Sequence, residues 1–263
     1  MIQLATLGLT PEVVITGLQK ILPKKLYIIH TENVKGGKSE EQVETIAKKL
    51  EKQIEESYRI PVELLKVEKF DSNAVIGSIL QTISKERKEN PDLGKKDFVI
   101  NITGGTKAMV AGAACAAYLA QAKMYYVLHP DEAKGKELVR ELPVPSRAEN
   151  TSQGESTRTS SIVLEKIKEL SPTNNKHLLE KLGSEKAPVV KKIPGSNKTK
   201  TVYKKFTGQI LSYHLNKLDD AGLITRVRGW VSGKKKNNKL NTITITETGK
   251  YYAEFPDVIG EVI

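Results

Sequence analysis

Phe98-Val-Ile-Asn-Ile-Thr-Gly-Gly-Thr-Lys-Ala-Met109 is the stretch whose reading decides the fold. A β-branched apolar run meets a Gly-Gly turn, and the turn opens a helix whose body, Ala108 to Ala122, consists largely of small apolar residues. A strand that ends on glycine and leads straight into a helix is the joint of a βαβ unit. Further β-branched runs at Ile2–Leu7, Leu26–Thr31, Val62–Glu68 and Met124–His129 join Phe98–Thr103 as strand candidates. A sixth, Glu137–Val144, follows a short turn at Lys134-Gly135 and is expected to run antiparallel at one edge. Between strands, Ser39 is placed to cap a helix with Val43, Ile46, Ala47, Leu50 and Ile54 on one stripe, and Val75, Ile76, Ile79, Leu80 and Ile83 repeat the pattern. The expected class is α/β: a Rossmann-like, mostly parallel sheet with strand order 3-2-1-4-5.

In such a sheet ligands bind outside the C-terminal strand ends, where connections diverge to opposite faces. Two loops should meet there: Leu7-Gly8-Leu9-Thr10-Pro11-Glu12 and Thr103-Gly104-Gly105-Thr106-Lys107. Thr10-Pro11 suits a helix start, Gly104-Gly105 permits close backbone approach, and threonine hydroxyls, free N–H groups and Lys107 could together hold phosphate. The plainer alternative is a tight strand-to-helix turn with Lys107 solvated. Neither loop has the glycine and Lys-Ser/Thr spacing of a nucleotide-triphosphate loop or the three glycines of a dinucleotide fingerprint, which disfavours ATP hydrolysis and NAD. Cys115 is expected to be a small core residue that lets its helix lie close to the sheet.

The chain has 263 residues, room for about two domains. One cysteine precludes an intramolecular disulfide, and four scattered histidines offer no metal-ligand spacing, so a cytoplasmic setting without metal or cofactor is expected. The longest weakly polar run is too short for the roughly 20 residues of a membrane span, and no basic leader precedes the first apolar stretch. The net charge of +11 is unevenly spread: residues 1–150 carry 22 basic and 20 acidic side chains, the remainder 20 and 11. Between Lys181 and Lys239, 15 basic residues face three acidic ones, a density that attracts polyanions, nucleic acid first among them. Pro143 to Arg158, rich in Pro, Ser and Thr, reads as the connection, giving a domain at 1–145, a linker at 146–158 and a domain at 159–263.

Asn101-Ile-Thr-Gly-Gly-Thr-Lys-Ala-Met109, together with Leu4-Ala-Thr-Leu-Gly-Leu-Thr-Pro-Glu12, resembles the CARF (CRISPR-associated Rossmann fold) domain over about residues 1–145. The resemblance implies a homodimer that binds a cyclic oligoadenylate, cyclic tetra-adenylate being the expected form, in a cleft across the two-fold axis. Gly8, Leu9, Thr10, Pro11, Thr103, Gly104, Gly105, Thr106 and Lys107 become the ligand-binding candidates. A two-fold interface presenting each helix N-terminus twice suits a ring of phosphates.

After the connection, a helix from Thr159 with Val163, Ile167 and Leu170 inward precedes a short one with Leu178, Leu179 and Leu182 inward. A third, from about Thr207 to Ala221, buries Leu211, Leu215 and Leu218, and Leu223–Trp230 and Asn241–Thr246 alternate like a hairpin tipped by Ser232 to Asn238. Ile210 to Ile224 resembles the recognition-helix segment of winged helix-turn-helix transcriptional regulators, and the whole chain thereby resembles CRISPR-associated archaeal-type regulators. With the leucines inward, Gln209, Ser212, Tyr213 and Asn216 face outward toward base edges of double-stranded DNA, while Lys217, Arg226, Arg228, Lys234, Lys235 and Lys236 are candidates for phosphate contacts. His214, beside the leucine stripe, reads as a packing residue. Between Gly183 and Phe206 the chain has about twenty residues where that family has a short turn: either a basic arm, or a recognition helix that begins near Thr201.

A ligand-responsive DNA-binding regulator is therefore the expected function. One alternative is a ring nuclease that cleaves its cyclic ligand without metal, using Thr10 and Lys107; another is a winged helix that binds protein. An effector nuclease is disfavoured, since no arginine precedes His177 or His214 at the spacing an RNA-cleaving pair requires, and Pro130 to Lys134 packs its acids into one turn.

Overall fold

The computed structural model describes residues 1–31, 38–68, 70–133, 137–144, 154–192, 199–230 and 239–259, and the chain divides into two units, Met1–Arg147 and Ala148–Ile263. The first runs β1 (Ile2–Thr6), α1 (Glu12–Lys20), β2 (Lys25–Thr31), α2 (Lys38–Tyr58), β3 (Val62–Val67), α3 (Ser72–Glu89), β4 (Phe98–Asn101), α4 (Lys107–Ala120), β5 (Lys123–Val127), α5 (Pro130–Ala133) and β6 (Val139–Leu142). Its sheet has the order β3-β2-β1-β4-β5-β6. The first five strands are parallel and β6 is antiparallel to β5, as expected for its short turn. Helices cover both faces of the central strands, so all five residues of β1 and all four of β4 are buried.

Ala5, Leu7, Leu18, Leu26, Ile28, Ala47, Leu50 and Ile54 form one core where α1 and α2 meet the sheet. By apolar burial at about 25 cal/mol per Å², each such leucine or isoleucine contributes roughly 1.5–3 kcal/mol. α3 and α4 lie together because Gly112 has no side chain: a Cβ there would stand 2.7 Å from the Ser72 carbonyl oxygen. A polar tie crosses from β2 to α3, where Glu86, 3 % exposed, accepts from the Tyr27 hydroxyl and from Lys25 at 2.9 Å. Burial and this carboxylate push the Tyr27 phenol well above its ordinary range.

Three local expectations are corrected. Cys115 is exposed: the face of α4 turned inward is Met109, Gly112, Ala113, Ala116, Ala117 and Ala120, and Cys115 falls on the opposite side of a 3.6-residue repeat. Pro11, not Thr10, occupies the position before α1, without a side-chain cap; its carbonyl accepts from the Val14 and Ile15 N–H groups. Ser39 lies within the first turn of α2, which opens at Lys38.

The second unit contains α6 (Gly154–Leu170), α7 (Asn175–Leu182), β7 (Lys186–Lys192), β8 (Thr199–Lys205), α8 (Gly208–Asp220), β9 (Ile224–Trp230), β10 (Lys239–Ile245), α9 (Glu247–Glu254) and α10 (Pro256–Ile259). Val163, Leu164, Ile167, Leu178, Leu182, Leu211, Leu215, Leu218 and Ile243 are buried. The side chains of Asn174, Thr207 and Thr246 cap α7, α8 and α9 by accepting from His177, Ile210 and Gly249 N–H groups. α6 begins five residues before Thr159. The stretch near Thr201 is a strand, paired antiparallel with β7, so the reading in which the helix starts there falls. Thr207 can cap α8 because its backbone is extended, φ −119°.

Candidate functional site

β1 and β4 are neighbours, and α1 and α4 leave them toward opposite faces, so their loops meet at the C-terminal end of the sheet. The meeting is backbone against backbone: a Cβ on Gly8 would stand 2.8 Å from the Gly105 nitrogen, and one on Gly104 would overlap the Thr6 carbonyl oxygen. Gly105 has φ +92°, the left-handed region that glycine enters freely. Asn101 locks the joint from below. Its amide donates to the Val13 carbonyl (3.1 Å), and its Oδ1 accepts from the Thr103 N–H (3.1 Å) and hydroxyl (2.6 Å). Beneath it Tyr125, 1 % exposed, accepts from Gln3 at 2.7 Å, and burial pushes its phenol well up.

Above this joint opens a cleft of about 660 Å³. Six of the expected ligand residues line it: Gly8, Leu9, Thr10, Thr103, Gly104 and Gly105. Pro11, Thr106 and Lys107 do not. The Thr106 hydroxyl caps α4 by accepting from the Met109 N–H (3.3 Å), and Lys107 is exposed on the first turn of that helix. The Thr103 hydroxyl is held between Asn101 and the Val127 N–H (2.8 Å), which orients the loop. Thr10, exposed at the rim, makes no capping bond.

Sequence reasoning missed the rest of the lining: Glu12, Val13 and Thr16 on α1, Tyr126 and Val127 at the end of β5, and Leu128, His129, Glu132 and Leu138 after it. The signal was the strand order itself, because the end of β5 must open beside that of β4. In that turn the Glu132 carboxylate accepts from the His129 N–H (3.3 Å), and the His129 ring lies 3.4 Å from Asp131. The Gly104-Gly105 turn and the acidic residues Glu12 and Glu132 thus border the same cleft, an arrangement whose chemistry suits an anion that also carries hydrogen-bond donors.

In the second unit Gln209, Ser212, Tyr213 and Asn216 are exposed on α8, while Leu211, His214, Leu215 and Leu218 are buried. His214 bonds the Ser160 hydroxyl at 2.9 Å, and burial, helped by Lys217, lowers its pKa to about 4. Arg226 is engaged within the unit, donating to Asp219 and to the Asn216 side-chain oxygen, both at 2.8 Å. Lys217 lies 5.6 Å from the centre of the Tyr213 ring. Arg228 is on β9, and Lys234, Lys235 and Lys236 lie outside the described residues. Among the described residues no group of three or more His, Cys, Asp and Glu could hold a metal ion, and no helix is long and apolar enough to cross a membrane.

A family model described as "HFX_2341_N:-like, N-terminal" matches residues 1–133. No curated protein matches the chain. Among solved structures, Csm6 of Enterococcus italicus bound to cyclic hexa-2'-fluoro-hexa-dAMP is 14 % identical with a TM-score of 0.42, over 70 % of this chain and 48 % of that one. Can2 of Sulfobacillus thermosulfidooxidans in complex with cyclic tetra-adenylate is 13 % identical with a TM-score of 0.36, over 84 % and 66 %. Protein VC1899 of Vibrio cholerae is 12 % identical with a TM-score of 0.39, over 96 % and 63 %. The chain thus spans about half to two thirds of the length of these structures.

Proposed function

This chain belongs to the HFX_2341_N-like family through its N-terminal half, and from that membership we propose that it is a ligand-responsive, DNA-binding transcriptional regulator of CRISPR-associated defence. The N-terminal unit, read as a CARF domain, takes a cyclic oligoadenylate in the cleft above Gly8 and Gly104-Gly105. The observation that carries this reading is the close crossing of those two glycine turns at the mouth of a cleft of about 660 Å³. A volume of that order holds one or two nucleotides, so a ring of four is shared by two copies, and the acting species is a homodimer. Phosphates sit on the N–H groups of the turn, and base amines meet Glu12 and Glu132 at the rim.

The C-terminal unit, read as a winged helix, binds double-stranded DNA with the exposed face of α8 in the major groove and the β9–β10 hairpin on the backbone. Its support is the separation on α8 of an apolar inner face from an outer face of Gln209, Ser212, Tyr213 and Asn216. Cleavage of the ligand would call on Thr10 and Lys107 together. Thr10 lines the cleft and Lys107 does not, so binding without cleavage is the reading the geometry favours.

Calorimetric titration with cyclic tetra-adenylate tests the sensor half: one ring per two chains is expected, and absence of heat at any concentration of ligand sinks it. For the other half, gel shifts of promoter duplex should weaken steeply as salt rises, with a shallower slope in Lys234→Ala/Lys235→Ala/Lys236→Ala. No shift at low salt defeats the DNA reading.

A further inference from the structure

The β7–β8 ribbon carries six lysines and no acidic residue in its fourteen strand positions. Its register sets lysine against lysine twice, Lys186 opposite Lys205 and Lys191 opposite Lys200. Like charges directly opposed across a ladder destabilise a hairpin, and this one has no acid to relieve them: among the described residues neither Lys186 nor Lys205 has an ion-pair partner. Several cations elsewhere in the unit do have acidic partners. Lys166 meets Glu169 and Glu185, Lys168 meets Glu254, and Arg226 meets Asp219.

The six lysines divide between the two faces of the pleat, and the face that carries Tyr203 also carries the opposed pair Lys186 and Lys205. These three residues are exposed, Tyr203 by 59 %, whereas Ala187 on the other side is fully buried. β8 ends two residues before α8, joined through buried Phe206 and the cap Thr207. The ribbon is therefore rooted at the N-terminal end of the helix whose outer face bears Gln209 and Ser212. Seven residues per strand give it a reach of roughly 23 Å, about two thirds of a duplex turn.

We infer that the Lys186–Tyr203–Lys205 face of this ribbon is a second duplex-DNA contact, lying along the phosphate backbone beyond the N-terminal end of α8; this rests on the reading of the unit as a DNA binder. A polyanion relieves the opposed lysines, and the tyrosine hydroxyl donates to a phosphate oxygen.

The test is fluorescence anisotropy of the full chain with a labelled 30-base-pair DNA duplex of mixed sequence, across a salt series. For Lys186→Ala/Lys205→Ala the slope of log K against log salt becomes shallower by about 2, while Lys186→Arg/Lys205→Arg keeps the original slope. The thermal midpoint of the alanine variant stays equal to or above that of the parent, since a repulsion has been removed. Tyr203→Phe weakens binding several-fold without altering the slope. An unchanged slope in the alanine variant overturns the inference and leaves the proposed function standing. So does a slope change seen with double-stranded RNA but not with DNA. Failure of the parent chain to bind the duplex overturns both.

Discussion

Gly104 and Gly208 both stand at the start of a helix that points toward a proposed ligand, yet their surroundings differ. At Gly104 an added methyl group would run into the Thr6 carbonyl oxygen and crowd the Gly8 nitrogen at 3.2 Å; around Gly208 nothing lies within 4 Å. Backbone cannot yield as a side chain can, so Gly104→Ala forces the two loops apart and costs about 1–3 kcal/mol. Gly208→Ala restricts only the unfolded chain and gains about 0.5 kcal/mol. Thermal melts of the two variants should move in opposite directions. Titration of Gly104→Ala with cyclic tetra-adenylate should show weakened binding even where the protein is folded. The close backbone approach at Gly8 and Gly104-Gly105 was legible in the sequence, because glycine between a strand and a helix lets two loops meet. The engagement of Thr103, Thr106 and Arg226 was not: whether a hydroxyl or guanidinium is free for a ligand depends on Asn101, Val127 and Asp219, which only the fold brings to it.

His214 is the point at which α8 is fastened to α6, its ring on the Ser160 hydroxyl and its surroundings formed by the leucine face. With the folded pKa lowered from 6.5 to about 4, protons bind the unfolded chain before the folded one as pH falls. Stability of this unit is therefore full above about pH 6.5 and declines through the window down to about pH 4, by about 3 kcal/mol in all. Denaturant midpoints of the C-terminal transition at pH 7 and pH 4.5 should differ accordingly in the parent and much less in His214→Gln. Elements with strong periodicity, α3, α8 and the parallel strands, were readable at this scale. The β7–β8 ribbon was not, since Pro188 inside a lysine-rich run argues against a strand, and a two-stranded ribbon tolerates it by leaving one edge of each strand unpaired. α9 also escaped notice: Gly249 and Tyr252 are buried on its inner face and Phe255 just after it, but a helix this short shows too few repeats to stand out. Cys115 was misplaced because α4 has alanine on nearly every side, which hides which face turns inward.

The +11 of the whole molecule has different meanings in its two units. The N-terminal half is nearly neutral by count and has Glu12 and Glu132 at its cleft; the C-terminal half has its surplus between Lys181 and Lys239. Each unit has its own buried core, so each should fold as a separate fragment, 1–147 and 148–263. The proposed function requires them to communicate, and communication is a property only of the whole chain. A cyclic ligand alters DNA affinity only by favouring one arrangement of the dimer over another, typically by 1–3 kcal/mol, or about 5- to 150-fold. Duplex binding by the fragment 148–263 should therefore be indifferent to cyclic tetra-adenylate, while that of the full chain shifts by a factor in this range. Linkage then demands that saturating duplex shift the affinity of the full chain for the cyclic ligand by the same factor. Anisotropy with and without ligand, and calorimetry with and without duplex, measure the two sides of that equality. Equal affinities of full chain and fragment in every condition would mean that the two halves bind their ligands without coupling, and that the chain is an adaptor rather than a switch.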